Sequence, residues 1–117
     1  MGKLSTHVLD ITQGKPAAGV KVALFAVGPH GKALIRMDVT NAEGRCNHAL
    51  LEGDTMQTGK YELVFDAGDY FAAQGIALPV PRFIDQVTLA FGIADASLHY
   101  HVPLVVSPWA YSTYRGS

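Results

Sequence analysis

Charge is scarce in this chain. Only 16% of its 117 residues are Asp, Glu, Lys or Arg, against about 25% in a typical domain. A small monomer has much surface to keep polar, so the shortage predicts that other subunits cover part of the outside. Neither sign dominates: 9 basic and 10 acidic residues leave a formal net charge of -1. That balance argues against nucleic acid or an anionic membrane as a partner. Cysteine is nearly missing as well. Cys46 is the single thiol, which excludes an internal disulfide and fits a reducing compartment. It reads as a small half-buried hydrophobe rather than a nucleophile. No apolar run is long enough to cross a bilayer. Met1-Gly2-Lys3 leads straight into strand-like sequence, and the end is not Ser-Lys-Leu. A cytoplasmic location is therefore expected, with export of a longer precursor left open. Repeats, linkers and low-complexity tracts are absent, as are the GxSxG, GxGxxG, Walker and HExxH signatures and any glycosidase-like carboxylate pair. One domain over residues 1–117, able to bury a core without metal or disulfide, is the expectation.

What the chain has in abundance is alternation of period two. From Lys3 to Ile11, Leu4, Thr6 and Val8 fall on one face, and Ser5, His7 and Leu9 on the other. Val20, Val22, Leu24 and Ala26 line a second strand that ends at Gly28-Pro29-His30-Gly31. Ala33–Thr40 reads as a third strand, and Asn41-Ala42-Glu43-Gly44 as a tight turn leading into a short strand over Arg45–Leu50. Tyr61, Leu63 and Phe65 mark a further strand. Asp66 or Asp69 is placed to cap a short helix through Tyr70–Ala73 that Gly75 ends. Val87, Leu89, Phe91 and Ile93, then Leu98, Tyr100, Val102 and Leu104, define two longer strands before Ser107-Pro108 turns the chain to its tail. Seven or eight such strands predict an all-β fold, a two-sheet antiparallel β-sandwich with one short helix. The outward set Gln86, Thr88, Ala90 and Gly92 is small and uncharged, which predicts that this strand packs against another subunit.

Chemistry concentrates in a few polar residues. His7 and His101 each lie opposite their strand's main apolar set, and Arg45 follows a turn. An imidazole with a pKa near ~6.5 exchanges protons at neutral pH. A guanidinium stays charged and can steady an oxyanion. His99 shares a face with His101, and with His7 the two could hold zinc. No Cys or carboxylate pattern completes such a site, so a metal-free site is preferred. His30 and His48, in or beside turns, read as solvated. The tail Tyr114-Arg115-Gly116-Ser117 has a binding composition: a flat ring, a planar fork of donors, a close-approach glycine and a hydroxyl.

Leu4-Ser5-Thr6-His7-Val8-Leu9-Asp10, the Gly44-Arg45 turn, Leu98–Leu104 and the tail tetrapeptide together resemble the 5-hydroxyisourate hydrolases, the transthyretin-like enzymes of purine degradation. The likeness covers essentially the whole chain. It implies a transthyretin-like (prealbumin-like) sandwich, a homotetramer built as a dimer of dimers, and paired sites lining the channel between the dimers. It implies hydrolysis of an amide-type C–N bond of a small purine-derived substrate, 5-hydroxyisourate, to 2-oxo-4-hydroxy-4-carboxy-5-ureidoimidazoline without a cofactor. The family's roles fall on His7, Arg45, His101 and the tail Tyr114–Ser117. His7 or His101 would deprotonate water, and Arg45 would bind substrate oxygens. Tyr114, with Arg115 and Gly116, would hold the ring. Ser117, through hydroxyl or carboxylate, would order the water or a histidine. The alternative is a transthyretin-type carrier of small ligands, and such carriers lack counterparts of His7, Arg45 and the Tyr-Arg-Gly-Ser ending.

Overall fold

A computed structural model describes residues 2–116. In chain order the strands are β1 (Lys3–Ser5), β2 (Val8–Asp10), β3 (Lys15–Pro16), β4 (Lys21–Gly28), β5 (Gly31–Val39), β6 (Leu51–Glu52), β7 (Gly59–Phe65), β8 (Val87–Ile93), β9 (Tyr100–His101), β10 (Leu104–Val106) and β11 (Tyr111–Thr113), with a helix α1 (Ala67–Ala73) between β7 and β8. One sheet has the order β5-β4-β7-β8 and is antiparallel throughout. Its first hairpin closes over Pro29-His30, a two-residue connection of the kind that sets register directly.

The facing sheet has two short parts, β6-β1-β9 and β11-β10-β2-β3. They are halves of one surface. Leu4 pairs with Tyr100 and Val8 with Leu104, both in parallel. Between them the ladder continues through Val102 N–H to Ser5 O and Leu104 N–H to His7 O, each 2.9 Å. The antiparallel expectation fails at this pair, because strands so far apart in sequence need no hairpin and are free to run side by side in the same direction. The first strand is interrupted at Thr6-His7 and the late one at Val102-Pro103. Proline has no N–H to give the ladder. Thr6 is buried, and its hydroxyl donates to Val102 O at 2.7 Å across the interruption.

The core lies between the sheets, where Leu4, Val8, Val22, Leu24, Leu63, Phe65 and Leu104 meet. Helix α1 adds Tyr70 and Phe71 to it. Asp10 is fully buried and accepts from Thr12 and Gln13 backbone N–H groups, Gln13 Nε2 and the Tyr70 hydroxyl. A buried carboxylate is tolerable when its oxygens are this well supplied. Burial and the Asp10 carboxylate together push the Tyr70 phenol well above its ordinary range, so it stays a donor and ties α1 to β2.

Three local expectations need correction. Arg45–Leu50 is not a strand: Arg45 makes only an isolated bridge, and pairing resumes at Leu51. Leu98 is 46% exposed and outside the core, because strand geometry begins only at Tyr100. Asp66 precedes α1 without a side-chain cap and takes Gln86 Nε2 instead. The strand expected over Ala33–Thr40 is β5, an edge strand on which Leu34, Ile35, Met37 and Val39 are all exposed and whose register shifts opposite Leu24/Phe25. Among the described residues no helix is long and apolar enough to cross a membrane.

Candidate active site

The turn between β5 and β6 seats the first histidine. Asn41 Oδ1 accepts the N–H groups of Glu43 (2.9 Å) and Arg45 (3.2 Å), an Asx arrangement that closes the turn locally. Gly44 sits at φ +78, and a Cβ there would lie 2.5 Å from Val8 O and 3.2 Å from His7 Cδ2. No other residue type fits at that distance in that conformation. The turn therefore packs directly on the interruption in the first strand. His7 bridges Arg45 through the backbone, and His7 Nε2 lies 2.8 Å from Glu43 O. A carbonyl oxygen can only accept, so His7 carries a proton on Nε2, and in the neutral ring the lone pair is on Nδ1.

The second histidine is held by both ends of the chain. His101 pairs with Ser5 across the parallel strands, and its Nδ1 lies 2.9 Å from Ser5 Oγ. From the tail, Gly116 exchanges two backbone hydrogen bonds with His101, at 3.2 and 2.7 Å. A Cβ on Gly116 would sit 3.1 Å from His101 Cβ. Burial lowers the pKa of the imidazole, and the neighbouring charges of Arg45 and His7 lower it further. Both effects disfavour a second positive charge and keep the ring neutral.

Arg45 and His101 share a cleft of about 760 Å³ with Lys3, Ser5, His48 and His99. Among the described residues Glu52 is the one carboxylate lining it, beside Lys3 and Arg45, so this part of the lining favours electron-rich ligands. His48, expected to be merely solvated, borders this cleft. Cys46 also lines it, but burial and Asp38 raise its thiol to about 11, leaving it protonated and a poor nucleophile. Among the described residues no three or more His, Cys, Asp or Glu side chains gather as a metal site. The proposed zinc pair has its Nδ1 atoms engaged, His99 by Lys3 N–H and His101 by Ser5.

The tail divides. Arg115 Nη2 donates to His99 O at 2.9 Å while the guanidinium lies 4.4 Å above the Tyr100 ring. Tyr114 does not join the histidines: it is 63% exposed and borders a second cavity, of about 540 Å³, along the outward residues of β8. Ser117 lies outside the described residues. Ser5 and Lys3 join the site without having stood among its expected residues. Ser5 carried a usable signal, since period two puts it on the His7 face. Lys3 acts through its backbone N–H, a contact that no pattern announces.

A transthyretin-like β-sandwich with a polar, histidine-lined cleft is thus the class that fold and site define. The model of the HIUase/Transthyretin family matches residues 4–116, and the chain belongs to that family. It is 53% identical to the 5-hydroxyisourate hydrolase of Pseudomonas aeruginosa, covering 100% of this chain and 93% of that protein. With the 5-hydroxyisourate hydrolase of Ralstonia nicotianae the identity is 54% over the full length of both. Among solved structures, Klebsiella pneumoniae 5-hydroxyisourate hydrolase superposes with a TM-score of 0.81 at 36% identity, 100% of each chain being covered. An (S)-allantoin synthase gives 0.94 at 42% identity over 99% of this chain, which spans only 44% of that one. Sea bream transthyretin in complex with thyroxine gives 0.86 at 27% identity, covering 97% of this chain and 94% of that one.

Proposed function

We propose that this chain is an enzyme that hydrolyses 5-hydroxyisourate, opening its six-membered ring to 2-oxo-4-hydroxy-4-carboxy-5-ureidoimidazoline on the route from urate to allantoin. The observation that carries this reading is the convergence of His7, Arg45 and His101 from three distant stretches of a chain 53–54% identical to full-length relatives named for that substrate. The transthyretin carrier shares the sandwich but only 27% of the residues, which favours the hydrolase over the carrier.

His101 is the general base in this scheme. Its lowered pKa favours the neutral imidazole, and the scheme uses the tautomer whose Nδ1–H donates to Ser5 Oγ, 2.9 Å away, so that the Nε2 lone pair takes a proton from water. The water oxygen bonds to the amide carbon, and Arg45 stabilises the oxyanion. As the carbonyl re-forms, the C–N bond breaks and the departing nitrogen takes the proton back from His101. The carboxylic acid then loses its own proton to solvent. His7, with Nε2–H given to Glu43 O, offers Nδ1 to orient substrate or water.

Ser117 orders the water or a histidine, through its hydroxyl or its carboxylate, and Gly116 lets the tail approach His101. Tyr114 holds the substrate ring only once subunits assemble, and the assembly is a homotetramer, a dimer of dimers. Sparse charge and the uncharged outer face of β8 support that association. The whole of 1–117 serves as one cytoplasmic hydrolase domain, with no nucleic-acid or membrane partner and no cofactor. The test is direct. Purified protein should accelerate the loss of absorbance of freshly generated 5-hydroxyisourate and do so after chelator treatment. Unchanged spontaneous decay would end this reading, and strict zinc dependence would end the metal-free one.

A further inference from the structure

His99 is an exposed imidazole that is nevertheless held twice. Its ring Nδ1 accepts the Lys3 backbone N–H at 3.1 Å. Its carbonyl accepts Arg115 Nη2 at 2.9 Å, from a guanidinium itself seated on Tyr100. An amide N–H can only donate, so neutral His99 must carry its proton on Nε2. With Nδ1 taken by Lys3, what the neutral ring has left for a ligand is a hydrogen-bond donor, Nε2–H. His99 lines the same cleft as Arg45 and His101. It enters that cleft one residue before β9 begins, while His101 enters from the strand itself, so the two imidazoles offer a planar bicycle separate points of contact.

From this geometry we infer that His99 is a substrate-binding residue, donating from Nε2 to a carbonyl oxygen of the bound bicycle at the end remote from the bond that breaks. This deepens the hydrolase reading and rests on it. It also gives Arg115 a different task from the one its composition suggested. Arg115 is a positioning residue that acts on substrate through the His99 carbonyl, which explains why a tail arginine turns back onto its own chain. A contact remote from the reacting carbon is equally strong in ground and transition states, so its loss appears in KM and not in kcat.

The experiment measures 5-hydroxyisourate hydrolysis and, in parallel, the Kd of urate as an inert planar probe. His99→Ala and His99→Asn should raise KM and the urate Kd by roughly 3- to 10-fold, the range expected for one lost neutral hydrogen bond, with kcat within about twofold. Asn can still accept from Lys3 but does not reach the cleft. His99→Gln restores a donor near the Nε2 position and should return both constants to within about twofold of the parent. Unchanged KM and Kd in the Ala and Asn variants would overturn the inference, as would a fall in kcat alone, which would mark a disturbance of His101 instead. If the parent chain fails to hydrolyse but urate binding still depends on His99, the hydrolase reading falls and the binding role stands. If neither hydrolysis nor urate binding is seen, both fall.

Discussion

The two sheets of this sandwich follow different rules. In β5-β4-β7-β8 the strands reach nine residues, neighbours are antiparallel, and β7 and β8 pair without interruption from Gly59–Ile93 to Phe65–Val87. That sheet supplies much of the core and none of the three converging groups. In the other sheet no strand exceeds three residues, and each central strand is interrupted once. His7 stands at one interruption and His101 beside the other. An interrupted ladder frees backbone groups to bond with a turn or a chain end, and it lets a side chain aim along the cleft instead of across the sheet. Regularity stabilises here, and irregularity places the chemistry.

Substitutions can break this contrast from the irregular side. His101→Ala should lower kcat by about 100- to 10,000-fold, the usual range for general-base action, with the melting temperature little moved; steady-state kinetics and a thermal melt read the two quantities. Removing residues 114–117 strips His101 and His99 of their partners Gly116 and Arg115. It should abolish measurable activity while far-UV circular dichroism stays that of a β-sandwich. Full activity in that variant would make the tail a bystander.

A pair of glycines sharpens the comparison. Gly44 and Gly19 share a left-handed backbone, at φ +78 and +82, but a Cβ at Gly44 meets Val8 O at 2.5 Å and one at Gly19 meets nothing within 4 Å. Gly19→Ala should cost only the conformational strain, about 1–2 kcal/mol, and leave activity per folded molecule intact. Gly44→Ala should cost more in denaturant titration and lower kcat/KM at least about tenfold, because the turn that holds His7 and Arg45 must move.

The pH dependence follows from His101. Its folded pKa lies below the unfolded value, through burial first and then Arg45 and His7. Between those two values the unfolded chain binds more protons, so this group makes stability rise with pH through a window just below ~6.5 and fall as the medium turns more acid. The acidic limb of kcat/KM should likewise lie below ~6.5. Arg45→Gln removes one of the lowering charges and should move the limb of the residual activity upward. An unmoved limb would separate the guanidinium from the base. The smallest effect on catalysis belongs to a buried contact away from the cleft. Tyr70→Phe deletes one donor to buried Asp10 and should lower unfolding free energy by about 1–3 kcal/mol without altering kinetics.

Much of this was legible in the residues. The alternation of Tyr61, Leu63 and Phe65 and of Val87, Leu89 and Ile93 predicted buried faces that the structure has, because side-chain direction in a strand is a strictly local property. The short helix and the turn before Arg45 were equally local. Arg45–Leu50 misled because its mix of apolar and polar residues resembles a strand, while the chain there is committed to walling the cleft. Composition suited Tyr114 to binding but says nothing about which cavity its ring borders within one chain. Ser5 and His99 gained their importance from partners 96 residues away.

Composition and alternation by themselves determined an all-β sandwich, one short helix, a single inert thiol and the residue types capable of proton transfer, since each depends on neighbours only a few positions apart. Only the tertiary structure decided that the first and late strands run parallel. That choice set the register bringing Ser5 to His101, gave His7 and His99 fixed protonation sites, and turned Arg115 toward its own backbone. Contacts between the two ends of a chain have no periodic signature, because their geometry exists only after the sheets have packed.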